Sequence, residues 1–150
     1  MSNQLNEAVT FHRQGELTKA KKLYKLILLR DPNNFQINHL LGALEIQLKN
    51  FNLAKNFTEK AIKIDPNHYA PYNNLGLIFR ELKEYKESLV AYSKAILLKP
   101  NYAEAYNNRG ITNRYFEKYQ DSLNDYSKAI EINPKYAEAY NNRKIGRAHV

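Results

Sequence analysis

The sequence predicts an all-α chain of antiparallel helix pairs stacked one on the next, and three observations carry that prediction. Pro32, Pro66, Pro100 and Pro134 stand at an unvarying spacing of 34, within "DPNN", "DPNH", "KPNY" and "NPKY", so the chain is an internal repeat. Counting each proline as position 32, position 8 reads Ala8, Gly42, Gly76 and Gly110, and position 20 reads Ala20, Ala54, Ser88 and Ser122. Small residues at those two places, on two helices joined by a short turn, let the backbones approach closely. In 86–98, "KESLVAYSKAILL", Leu89, Tyr92, Ala95, Ile96 and Leu98 form the apolar stripe of an amphipathic helix.

The elements follow in order. The first repeat, with Ala8, Ala20 and Tyr24 in the packing columns, predicts helices over 3–14 and 17–29. The second predicts 35–48 and 51–64, with Gly42, Ala54 and Ala61 small and Thr58 where the other copies carry tyrosine. The third predicts 69–82 and 85–98, and the fourth 103–116 and 119–132, with Tyr92 and Tyr126 filling the space beside Ala95 and Ala129. Each second helix ends at its proline, which cannot continue the hydrogen-bond ladder and restricts the residue before it.

At this point the chain resembles the tetratricopeptide repeats, whose pattern sets a large residue, Leu-Gly, an aromatic, Ala, an aromatic, Ala and Pro at fixed places. Repeat three matches best, through Tyr72, Leu75, Gly76, Phe79, Tyr92, Ala95 and Pro100, with Ser88 departing at one small place. Repeat four keeps Tyr106, Gly110, Tyr126, Ala129 and Pro134 but carries Arg109 and Asn113 at usually apolar places. Repeat two has Glu45 and Thr58 where aromatics are usual, and repeat one keeps mainly Ala8, Phe11, Ala20, Tyr24 and Pro32. The resemblance covers 1–143 as repeats of about 1–34, 35–68, 69–102 and 103–136 and a partial copy at 137–143. It implies a right-handed α-solenoid whose first helices line a concave side.

The partial copy raises a question of its own. Residues 136–143 repeat 102–109 letter for letter, then Lys144 stands where the pattern needs a small residue. A lysine at that helix crossing is expected to cost about 1–3 kcal/mol. The final "IGRAHV" back-translates as ATCGGAAGAGCACACGTC, which resembles a sequencing-adapter read-through. The expectation is that 144–150 is a non-native tail on a fragment of a longer frame. A second expectation is that the end of the array is only partly covered by Ala137 and Tyr140, leaving it open to weak self-association.

The resemblance also points to a ligand surface. Position 6 reads Asn6, Leu40, Asn74, Asn108 and Asn142, with Asn73, Asn107 and Asn141 beside three of them. Asparagine offers two donors and an acceptor, so a ladder of it along a groove suits the backbone amides of an extended peptide. In the repeat arms of O-linked N-acetylglucosamine transferases, including bacterial ones, a similar ladder holds protein substrates, and "YNNLG" at 72–76 resembles that place. Arg80 and Arg114, at position 12, tend toward the groove in this family and suit an acidic ligand. The bland alternative is that asparagine reflects an AT-rich genome and family habit. The carboxylate clamp of chaperone-binding relatives finds Leu5 and Val9, and His39 and Ala43, at places that need lysine and asparagine.

Composition excludes several classes. There is no cysteine, so disulfides, thiolate metal sites and a cysteine nucleophile are out, and five scattered glycines build no phosphate loop. No run of about 18 apolar residues suggests a membrane span. No signal peptide is visible in "MSNQLNEAVTF", which makes the cytoplasm the default expectation. His12, His39, His68 and His149 fall at different repeat positions, without metal-ligand spacing, so neither metal, cofactor nor catalysis is expected. Net charge is +8, yet Lys60, Lys94 and Lys128 interleave with Glu59, Glu87 and Asp125 on second helices, which reads as a solvated face rather than a nucleic-acid surface. The expected function is a non-catalytic scaffold that binds a protein or extended peptide. The alternative is the substrate-recognition arm of a glycosyl-, methyl- or sulfotransferase.

Overall fold

Each proline stop leaves a readable mark on the backbone. The residues before them, Asp31, Asp65, Lys99 and Asn133, all close the preceding helix with φ between −129° and −137° and ψ between 82° and 93°. That is the extended conformation that the following proline imposes. Their N–H groups still reach back four residues, to the carbonyls of Ile27, Ala61, Ala95 and Ala129.

The computed structural model describes residues 2–150, so Met1 of the first repeat lies outside the described residues. These hold nine α-helices and no strand: α1 Ser2–Arg13, α2 Leu17–Arg30, α3 Phe35–Gln47, α4 Phe51–Ile64, α5 Tyr69–Glu81, α6 Tyr85–Leu98, α7 Ala103–Arg114, α8 Tyr119–Ile132 and α9 Ala137–Arg147. The all-α helical-hairpin repeat is therefore as expected, with ends within about two residues of the predicted ones.

The turn inside each hairpin is the same device four times. Position 15, Gly15, Lys49, Lys83 and Glu117, carries φ of 78°, 60°, 63° and 56°. The next N–H returns to the carbonyl five residues back, as Asn50 to Glu45 at 2.9 Å and Glu84 to Phe79 at 2.8 Å. This is the left-handed cap that satisfies the orphan carbonyls of a helix end. Only the first copy uses glycine, which adopts the conformation without a Cβ penalty.

The chain groups into two units, one up to Pro66 and one over Asn67–Val150. In the first, α1–α4 close around Ala8, Ala20, Tyr24, Ile27, Ile37, Leu41 and Leu44. In the second, α5, α7 and α9 lie side by side, with α6 and α8 packed against them. A Cβ on Gly76 would sit 2.6 Å from the Tyr92 ring, and one on Gly110 2.7 Å from that of Tyr126, which explains the small column. Ser88 and Ser122 do more than stay small: each hydroxyl donates to the facing carbonyl, of Gly76 and of Gly110, at 2.7 Å.

Two expectations for the last copy change. α9 runs through Lys144 to Arg147, and Lys144 is exposed. Among the described residues no helix crosses α9 at that place, so the expected overpacking is not seen here. It is Ala139, fully buried, that packs on Ala129 and Ile130 of α8, while Ala137 is exposed and Tyr140 is 41% exposed.

Candidate functional site

On α5 and α7, three rows run across the first-helix face, three residues apart as one helical turn requires. Asn74 and Asn108 form the first row, Leu77 and Ile111 the second, Arg80 and Arg114 the third. Asn74, Leu77, Arg80, Ile111 and Arg114 are all half-buried. The Arg80 side chain is 15% exposed, with Nη2 3.7 Å from Glu81 Oε1. Arg114 and Ile111 border a 250 Å³ hollow with Tyr115 and Tyr119. Tyr115 stacks on Tyr85 at 4.4 Å, and one repeat on His149 stacks on Tyr119 at 5.4 Å.

The asparagines divide into two sets. Asn73 and Asn107 are 2% and 0% exposed, so they do not extend an open polar strip. Asn73 donates to Glu104 Oε1 at 2.9 Å and accepts from Asn108 at 3.2 Å. One repeat later Asn107 donates to Glu138 Oε1 at 3.1 Å and accepts from Asn142 at 3.0 Å. Tyr136, whose hydroxyl also meets Asn107, has its pKa pushed up to about 12, chiefly by burial. The asparagine column thus stitches α5 to α7 and α7 to α9, and Asn108, 7% exposed, is spent largely on the first of these seams. Asn141 is exposed and Asn142 half-buried, while Asn74 is the half-buried member on α5.

The residues least legible in sequence are charged and buried. Asp125 is 5% exposed, against the expectation that it belongs to a solvated face. Arg109 holds it in a two-pronged contact, Nε to Oδ2 at 3.0 Å and Nη2 to Oδ1 at 2.6 Å, and Asn113 adds a bond at 3.1 Å. Burial pushes the Asp125 carboxyl above its ordinary value, with Arg109 and Asn113 offsetting part of that. Burial also acts to lower Arg109, but its bonds to Asp125 leave the guanidinium raised. Together they line a polar 360 Å³ cleft where repeat three sets Leu75, Phe79 and Ala91 around an apolar one of 500 Å³. The signal was present: Arg109, Asn113 and Asp125 depart from the pattern together, in one repeat. In the first unit Glu45, fully buried, likewise meets Lys21 Nζ at 2.6 Å and the Asn50 amide at 2.9 Å.

The first unit presents a different face. His12 Nδ1 lies 3.1 Å from the Tyr24 hydroxyl and His12 Nε2 lies 3.1 Å from the Gln47 amide nitrogen. Burial lowers the His12 pKa below its ordinary 6.5 and raises that of Tyr24, against the charge of Arg13. Leu5 and Val9 pack on the apolar core, so they offer no polar clamp. Among the described residues no group of His, Asp or Glu could hold a metal ion, and no helix is long and apolar enough to cross a membrane.

Three family profiles match the chain, described as tetratricopeptide repeat over 11–76 and 103–136 and as TPR repeat over 76–114. No curated protein matches it. Among solved structures the chain is similar to MamA, at 25% identity and a TM-score of 0.83, covering 94% of this chain and 82% of that one. It is similar to the Arabidopsis OM64 TPR domain, at 25% identity and a TM-score of 0.75, over 77% of this chain and 96% of that one. It shares its fold with the first TPR of Spaghetti (RPAP3) bound to the HSP90 peptide SRMEEVD, at 20% identity and a TM-score of 0.73, over 76% and 90% of the two chains.

Proposed function

Since the chain belongs to the tetratricopeptide repeat family, we propose that it is a non-catalytic scaffold whose first-helix faces hold an extended segment of a partner protein. The observation that carries this reading is the recurrence of Leu77 with Arg80 and of Ile111 with Arg114 on adjoining helices α5 and α7. An aliphatic row beside a cationic row suits a peptide that presents small apolar residues on one edge and carboxylates on the other. Asn74 adds a donor and an acceptor for the peptide backbone. The solved neighbour bound to an HSP90 peptide supports the capacity of the fold for peptides. The partner differs in kind from a chaperone tail, because the half-buried apolar Leu5 and Val9, packed against the core, stand where a clamp needs polar ends.

The test is fluorescence anisotropy of the full chain against an array of labelled ten-residue peptides. Acidic-aliphatic peptides are expected to bind, and the double change Arg80→Ala, Arg114→Ala to weaken them at least about tenfold, as loss of charge-assisted bonds implies. Asn74→Ala should weaken binding of acidic and neutral peptides alike. Equal binding by the double variant and the parent would overturn the reading.

A further inference from the structure

Helices α5 and α7 lie side by side and in step. The Asn108 amide of α7 reaches Asn73 of α5 at 3.2 Å, and the two hairpins close alike, Ser88 on Gly76 and Ser122 on Gly110, both at 2.7 Å. Residues at equal repeat positions are therefore neighbours, and each chemistry of the groove recurs once per helix, Leu77 with Ile111 and Arg80 with Arg114. Helices in packing contact stand about 8–10 Å apart. A peptide that crosses them and offers both the same group must repeat at about that interval.

Three backbone conformations differ in how they meet this requirement. A β-strand returns to one face after two residues, about 6.7 Å. An α-helix returns after about 5.4 Å, and two turns overshoot at about 11 Å. A polyproline II helix has three residues per turn and rises about 3.1 Å per residue, so each of its faces recurs after about 9 Å. Only the last keeps step with the groove. It makes no internal hydrogen bonds, which leaves its carbonyls open to the Asn74 amide.

The wall beside the aliphatic row suits proline as well. Tyr115 is 58% exposed and lies flat on Tyr85, with ring centroids 4.4 Å apart at 10°, so a neighbour holds its orientation. With Ile111, Arg114 and Tyr119 it borders the 250 Å³ hollow, which no carboxylate lines. Proline-rich helices dock on aromatic walls of this kind, and a carboxylate on the adjoining face suits the guanidinium.

We propose that the α5–α7 groove takes a polyproline II segment of a partner protein in which proline and glutamate each recur every third residue. The prolines lie along Leu77, Ile111 and Tyr115, and the carboxylates along Arg80 and Arg114. This rests on the reading of the first-helix faces as a peptide groove, and adds the conformation and period of what fills it.

The experiment uses the full chain labelled with nitrogen-15, with the Leu77 and Ile111 amides followed as blocked nine-residue peptides are titrated in. Two carry three copies of Pro-Glu-Ala or of Ala-Glu-Pro, which covers both chain directions. One control, Pro-Glu-Pro-Glu-Pro-Glu-Ala-Ala-Ala, keeps composition and charge but has a period of two. Another, three copies of Val-Glu-Ala, keeps the period without proline. Expected is binding by one of the first two peptides about tenfold tighter than by either control, because the favoured helix is already formed in solution. Tyr115→Ala should erase that advantage and Tyr115→Phe, which keeps the ring, should retain it. Equal affinity of the period-three and period-two peptides, equal affinity of the proline and valine peptides, or an advantage that survives Tyr115→Ala overturns the proposal. If the Leu77 and Ile111 amides move with the controls in that case, the groove reading stands without it. If no peptide moves either amide, both fall.

Discussion

The Asn108 amide donates to Asn73 Oδ1 at 3.2 Å across 35 residues of sequence, and Asn142 meets Asn107 in the same way at 3.0 Å. Each acceptor asparagine in turn donates to a glutamate 31 residues ahead, Glu104 or Glu138. The α5–α7 and α7–α9 seams are thus a repeated three-residue polar clasp rather than apolar packing alone.

Removing the clasp at its centre should be costly. Asn107→Ala deletes two donor bonds and strands the Asn142 amide, for a loss of about 1–3 kcal/mol, whereas Asn74→Ala should stay within about 0.5 kcal/mol. Urea denaturation of the two variants gives the comparison, and equal midpoints would mean that the clasp adds nothing.

The Arg109–Asp125 pair calls for a different experiment. Arg109→Leu alone leaves a carboxylate that is 5% exposed without its counter-ion, an expected loss of about 3–5 kcal/mol. Changing Arg109→Leu, Asn113→Phe and Asp125→Ala together copies the residues that repeat three carries at these places, Leu75, Phe79 and Ala91. The triple variant should recover most of the lost stability, because well-packed apolar groups often replace a buried ion pair without penalty. A triple variant as weak as the single one would contradict this.

Left-handed backbone at Lys49 and Lys83 predicts gains. At φ of 60° and 63° a side chain carries a steric cost that glycine avoids, so Lys83→Gly should stabilise by about 0.5–1 kcal/mol despite glycine's greater freedom when unfolded. Thermal melts of Lys83→Gly beside Gly15→Ala, where the change runs the other way, should move in opposite directions.

Acid should weaken the first unit through His12. Its folded pKa lies below the ordinary 6.5 because of burial, so between those two values the unfolded chain binds more protons than the folded one. Stability is fully present above 6.5 and is lost as pH falls through it toward the folded value. His12→Phe should remove that slope, as denaturant midpoints at several pH values would reveal. A wild-type midpoint that rises on mild acidification relative to the variant would reverse the sign.

The helices, their pairing and their ends were legible in sequence because they depend on local information. A 34-residue period of proline, small and aromatic columns specifies which residues of one hairpin meet, and proline enforces its stop within a residue. The tertiary structure decided which polar residues are buried. Asn73 and Asn74 are neighbours of one type on one helix, yet the first is 2% exposed and the second half-buried, because Glu104 and Asn108 arrive from the next repeat. Asp125 lies among exposed charges in sequence but faces Arg109 and Asn113 in space. His12 meets Tyr24 and Gln47 only once the hairpins have folded. Periodicity orients a side chain on its own helix. Whether that direction meets solvent, a partner or an uncompensated charge depends on residues 12 to 35 positions away.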